Sequence, residues 1–162
     1  MAKFLTLNTH SWMEDEQEKK LDQLAERILQ EKYDVICLQE VNQEMESEQV
    51  VQAPFYHAVD DAIAIHKDHF AYCLVERLVE KGLIYHWSWA YNHIGFDRFH
   101  EGVAILSLNP LKASELLVSE TNDPTDYHTR KVLLAEIEVA GRLVTVASCH
   151  LSWWDKGFQE EW

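Results

Sequence analysis

The sequence predicts one α/β (α+β) domain, and three observations carry that reading. A strand, a helix and a second strand follow one another in the first forty residues, a second helical pattern covers 67–81, and from Leu83 onward the chain reads as strands and turns. A length of 162 residues suits one compact domain better than two. With 47% hydrophobic residues and only five Gly and three Pro, the chain supports a packed core and excludes collagen-like, disordered and proline-rich classes.

Lys3–Thr9 (KFLTLNT) is a short β-type run. Glu16–Glu31 is helical, because Leu21, Leu24, Ala25, Ile28 and Leu29 fall at i, i+3, i+4, i+7 and i+8 and form one apolar stripe. The acidic run Glu14-Asp15-Glu16 at its start is accounted for by the helix dipole. Tyr33–Leu38 (YDVICL) has the length and apolarity of a buried strand. A helical crossover between two such strands makes them parallel and brings their carboxyl ends to one edge, so Asn8 and Glu40 become neighbours.

Gln43–Ala64 is polar and aperiodic and contains Pro54, which predicts a surface loop or a short irregular segment. Lys67–Lys81 is helical, with Phe70, Cys73, Leu74, Val75 and Leu78 near one side and Gly82 capping its end. The strands expected after it are Ile84–Ala90, Gly102–Ser107, Leu116–Ser119, Lys131–Val139 and Leu143–Cys149, with a tight hairpin at Ala140-Gly141.

Fourteen Lys and Arg against 28 Asp and Glu give a formal charge of −14. That balance argues against a broad basic face for nucleic acid, whose backbone is bound mainly through Lys and Arg, although a metal ion could supply positive charge to a phosphate ligand. No apolar run approaches the about 20 residues that cross a bilayer, and the N-terminus has no signal-peptide pattern, so a cytoplasmic location is expected. Cys37, Cys73 and Cys149 are odd in number and widely spaced, which predicts small buried hydrophobes in a reducing compartment.

Four polar or charged residues stand at ends of apolar strands: Asn8 in LTLNTHSW, Glu40 in VICLQEVN, Glu101 in FHEGVAILS and His150 in VTVASCHLSWW. In these contexts and this order the chain resembles the endonuclease/exonuclease/phosphatase superfamily, with DVICLQEV the most specific segment. The resemblance implies that Asn8 and Glu40 belong to a Mg²⁺ or Mn²⁺ site, with Glu40 a direct ligand and Asn8 a ligand or a water-mediated neighbour. It implies that His150 donates to the scissile phosphate, and that Glu101 orients the ring of His150 and raises its pKa. Arg130, in YHTRKVLLAEI, is the expected phosphate clamp. The implied chemistry is metal-dependent phosphoester hydrolysis, with water attacking phosphorus in line.

The resemblance also implies a fold, the N-terminal half of a four-layer αββα sandwich, built as one mixed sheet with helices on one face. The family's later Gly-Asp-x-Asn and Ser-Asp-His motifs do not occur in these 162 residues. Residues 1–162 are therefore expected to be a single partial domain, an N-terminal portion nearly or wholly inactive alone. A sheet without its partner would expose an apolar face, which predicts a homodimer across it.

Other readings stand beside this one. The chain could be a non-catalytic half-domain that binds a partner. It could also be a zinc protein using His66 and His69, three apart at a helix start; solvated helix-face histidines are the alternative. His10 follows Asn8 by two and is expected at the rim of the site as a substrate contact, or else as a loop residue without a role. Tyr91–His100 mixes aromatic and polar groups as a substrate-contacting loop or an ordinary hairpin connection would. Trp87, Trp89, Trp153 and Trp154 form either a platform for a substrate ring or acyl chain or, as expected of tryptophan, core packing.

Overall fold

The computed structural model describes residues 1–153 and 161–162 of the chain. The order is β1 (Phe4–Asn8), α1 (Gln17–Glu31), β2 (Val35–Glu44), α2 (Phe70–Glu80), β3 (His86–Gly95), β4 (Phe99–Ser107), β5 (Leu111–Leu117), β6 (Lys131–Val139) and β7 (Arg142–Ser148). Strands β1-β2-β4-β3 form a mixed sheet, in which β1 and β2 are parallel, and β5-β6-β7 form a second, antiparallel sheet.

Side-chain alternation along each strand explains the layering. Ile36 and Leu38 of β2, Trp87 and Trp89 of β3, and Ala104 and Leu106 of β4 face the helices, where they meet Leu21, Ala25 and Ile28 of α1 and Leu74, Val75 and Leu78 of α2. The residues of opposite parity, Val35, Cys37, Ala90, Val103 and Ile105, pack against Leu111, Leu133, Ala135, Ile137 and Val139 of the second sheet. The described residues thus make three layers: helices, a four-stranded sheet and a three-stranded sheet.

The expected single sheet is therefore corrected to two. The apolar face on which the dimer was expected lies inside the molecule, because β5–β7 fold back over it. The fourth layer of the implied sandwich has no counterpart among the described residues.

β6 spans the expected residues, whereas β2, β3 and β5 do not. β2 continues past Leu38 to Glu44, because Asn42 and Gln43 are buried and hydrogen-bonded rather than solvated. β3 runs on to Gly95, so Tyr91–His100 is the end of a hairpin whose turn, at Phe96 and Asp97, has φ of 54° and 53°. β5 begins at Leu111, directly after Pro110, and alternates inward Leu111 and Ala113 with exposed Lys112 and Ser114.

The histidine pair also differs from both of its readings. His66 and His69 are buried rather than solvated, and His69 caps α2 by accepting from Tyr72 N at 3.3 Å while its ring lies against Trp87 and Trp89. Of the three cysteines only Cys37 is buried; Cys73 is intermediate and Cys149 exposed. Trp87 and Trp89 are core residues, Trp153 is exposed, and Trp154 lies outside the described residues. No helix among the described residues is long and apolar enough to cross a membrane.

Candidate active site

The end of β1 meets a bulge in β2. Pairing of β2 with β4 runs Leu38↔Ala104 and then Val41↔Gly102, so Gln39 and Glu40 together oppose one residue. Glu40 takes a left-handed backbone, φ 51°, which an L residue adopts at a cost. The segment after β1 holds it there. Thr9 Oγ1 and Ser11 Oγ donate to the Glu40 carbonyl at 2.9 and 2.5 Å, and Asn42 N donates to Ser11 Oγ at 2.9 Å. The bulge turns the Glu40 side chain toward Asn8, whose Nδ2 donates to Glu40 Oε1 at 2.8 Å. Asn8 Oδ1 accepts from His10 N at 3.0 Å.

A second bulge, at Asn92 between Tyr91 and His93 in β3, aligns His93 opposite Glu101 of β4. His93 Nε2 lies 3.4 Å from Glu101 Oε1, and its Nδ1 lies 2.8 Å from Arg130 Nη1. Asn92 Oδ1 accepts from Lys131 N at 3.0 Å, which ties the start of β6 to β3 and brings Arg130 beside His93. His93 thus stands between a cation and an anion inside the protein, with its Nδ1 also 3.2 Å from the Thr129 carbonyl. All three side chains are buried.

The second sheet delivers His150. Ser148 Oγ donates to Leu38 O at 3.1 Å and receives Gln39 Nε2 at 3.4 Å, so the end of β7 sits over the β2 bulge. His150 Nε2 then lies 3.7 Å from Glu40 Oε1.

The electrostatics follow from burial and neighbours. Burial would raise Glu101, but its interactions with His93, His150 and Arg130 outweigh that and hold it below the usual glutamate range. Burial pulls His150 below the ordinary histidine value, against the opposing pull of Glu40. Burial likewise lowers Arg130. His10 is raised, chiefly through its hydrogen bond with Glu14, whose Oε1 lies 2.8 Å from Nδ1.

The structure thus gathers Asn8, Glu40, Glu101, Arg130 and His150 at one edge of the two sheets. Two expectations change. Glu101 pairs with His93 rather than directly with His150, and His150 is lowered by burial rather than raised. His10 contributes its backbone N–H to Asn8, while its ring is taken by Glu14. Sequence reading missed His93, Thr9, Ser11 and Asn42; only the mixed composition of Tyr91–His100 hinted at the first.

Residues 13–161 match the Endonuclease/Exonuclease/phosphatase family. The chain belongs to this family. An endonuclease/exonuclease/phosphatase family protein from Leptotrichia buccalis C-1013-b superposes with a TM-score of 0.85 at 30% identity, over 98% of this chain and 56% of that one. An endonuclease/exonuclease/phosphatase from Beutenbergia cavernae DSM 12333 gives a TM-score of 0.63 at 19% identity, over 92% of this chain and 37% of that one. Humanized D. rerio TDP2 gives 0.53 at 15% identity, over 98% and 54%. The chain thus spans about half the length or less of these solved structures. No curated protein matches it.

Proposed function

We propose that the chain is the metal- and phosphate-binding portion of a divalent-metal-dependent phosphoester hydrolase, residues 1–162 forming one partial domain. The observation that carries this reading is the convergence of a carboxylate (Glu40, in the β2 bulge) with a guanidinium (Arg130) and an imidazole (His150) that follow it by 90 and 110 residues in sequence. Family membership supports phosphoester chemistry.

The donor set fits a hard cation that keeps much of its water. Both polar atoms of the Asn8 amide are engaged inside the protein, so Glu40 is the direct ligand and Asn8 the residue that steadies it. Among the described residues no group of three or more His, Cys, Asp or Glu converges on one point, which suits Mg²⁺ or Mn²⁺ held through one carboxylate and waters better than zinc. A metal ion held there by Glu40 would supply positive charge to the phosphoryl oxygens. His150, neutral at pH 7, donates an N–H to a phosphoryl oxygen, and Arg130 contributes a fixed positive charge. Glu101 stays anionic and, through His93, holds the Arg130 guanidinium in place.

The chain alone is expected to hydrolyse phosphoesters weakly or not at all, since the family's Gly-Asp-x-Asn and Ser-Asp-His motifs are absent from it. A net charge of −14 favours a small phosphodiester or phosphomonoester over long nucleic acid. The odd number and wide spacing of the three cysteines favour a reducing, cytoplasmic setting.

Titration calorimetry with Mn²⁺ and with inorganic phosphate tests the reading on the chain itself. Glu40→Gln should weaken Mn²⁺ at least about tenfold, while His150→Ala and Arg130→Gln should weaken phosphate and leave Mn²⁺ unchanged. Mn²⁺ affinity indifferent to Glu40→Gln would overturn the assignment in favour of a non-catalytic half-domain.

A further inference from the structure

Arg130 is met at its guanidinium by His93, and its backbone is held just as closely. Arg130 N donates to Ser119 Oγ at 2.8 Å, its carbonyl accepts from Val118 N at 3.0 Å, and the next amide, Lys131 N, donates to Asn92 Oδ1 at 3.0 Å. These contacts tie the start of β6 to the end of β5 and to β3. They leave Lys131 buried on the inner face of the second sheet, the face that Leu133, Ala135, Ile137 and Val139 continue with apolar side chains.

A charge on that face needs a partner, and Glu115 of β5 supplies it. Lys131 Nζ lies 2.7 Å from Glu115 Oε1, with the two side chains 9% and 8% exposed. In register Lys131 stands opposite Leu117, so the amine reaches back along β5 to a diagonal neighbour. Asp61, from the segment between β2 and α2, is exposed and 3.8 Å away, so Glu115 is the main partner. Tyr56, from the same segment, adds a second group. Its hydroxyl and Glu115 Oε2 are both buried and have no hydrogen-bond partner among the described residues. Burial, with the charge of Glu115, pushes the phenol up to about 12, so it stays a donor at neutral pH. The one group is a donor and the other an acceptor, a complementary pair for steadying the carboxylate.

A buried ion pair is a poor source of stability. Desolvating both charges offsets most of their attraction, and an apolar pair of similar volume often serves a fold as well or better. What an apolar pair lacks is direction, because a charge-assisted hydrogen bond fixes one amine against one oxygen whereas methylenes slide past one another. We propose that Lys131 and Glu115 are positioning residues for Arg130: their contact between β6 and β5 fixes the first residue of β6, so that the guanidinium one residue earlier is aimed at His93 and at the phosphate. The inference rests on Arg130 taking the phosphate, as proposed above, and adds the pair that sets its approach.

Calorimetry of the chain with inorganic phosphate and with Mn²⁺, beside urea denaturation, tests the role. Lys131→Met combined with Glu115→Leu replaces the pair by apolar side chains. The urea midpoint should stay equal or rise, phosphate should bind about tenfold more weakly, and Mn²⁺ affinity should not change. Glu115→Gln keeps an acceptor for the amine at the same volume and should hold phosphate affinity within about twofold. With Arg130→Gln already in place, the double apolar change should weaken phosphate no further, because its effect passes through that guanidinium. Four results would each overturn the positioning role: a lower urea midpoint in the double apolar variant, undiminished phosphate affinity in it, a loss in Glu115→Gln as large as in that variant, or an equal loss once Arg130 has been replaced. Phosphate affinity indifferent to Arg130→Gln, or no phosphate binding by the unaltered chain, would instead remove the phosphate reading and this inference with it.

Discussion

Asn8 and Glu40 touch at 2.8 Å across 32 residues of sequence, the amide donating to the carboxylate where the parallel pairing of β1 with β2 ends. The contact leaves Glu40 20% exposed and oriented, with one oxygen engaged by Asn8. Replacing Asn8 by Ala removes that donor without touching the core, because Asn8 itself is exposed. Mn²⁺ affinity should fall about tenfold, as it does when a neighbour that orients a ligand is lost, with thermal stability nearly unchanged. Calorimetry and a melting curve on the same sample check both halves of the expectation.

Gly102, in the EGVAILS segment, has no room for a side chain. A Cβ there would lie 2.1 Å from the Ala90 carbonyl oxygen and 2.6 Å from Trp89 Nε1, both fixed parts of the neighbouring strand. Gly102→Ala should therefore force β3 from β4 and cost about 1–3 kcal/mol or more in chemical denaturation. Gly95→Ala is a contrast, since its Cβ meets the Glu101 carboxylate at 2.8 Å. It should disturb the Glu101–His93 pair more than the fold, and weaken phosphate binding more than stability.

His69 gives the protein a built-in acid weakness. Complete burial pushes its ring down to about 3 from an ordinary value of 6.5. The unfolded chain takes up that proton near pH 6.5 and the folded chain does not, so stability is full above 6.5 and declines as pH falls toward 3. The slope from this one group is at most about 1.4 kcal/mol per pH unit. Urea denaturation at pH 7.5 and pH 5 should show the loss, and His69→Asn, which keeps a cap acceptor for Tyr72 N, should lessen it. An unaltered pH dependence in that variant would remove the assignment to His69.

Local pattern carried much of the architecture. The alternation in Lys131–Val139 marks β6 end to end, and the stripe of Leu21, Ala25 and Ile28 marks α1, because both signals depend only on neighbours in sequence. The second half of β2 was illegible for the opposite reason. Asn42 and Gln43 look like loop residues until their partners are known, and those partners, the carbonyls of Ser11 and Ala64 and the amide of His66, are 21 or more residues away. The division into two sheets is equally non-local, and it covers the face of the first sheet that was expected to stay exposed. Within the site, polar residues that border apolar runs could be picked out by that contrast, as Asn8, Glu40, Glu101 and His150 were. His93 sits inside a strand, aligned by a bulge, and offers no such contrast.

Glu40 occupies a backbone conformation that glycine would accept without penalty. Chemistry and conformational preference therefore pull this position in opposite directions: the residue best suited to the chain path has no carboxylate, and the residue present holds its path only because Thr9, Ser11 and Asn42 brace it. A glycine at this position should spare the fold that local tension while erasing the proposed metal ligand. Robustness has here been surrendered at one residue for the sake of an oxygen donor.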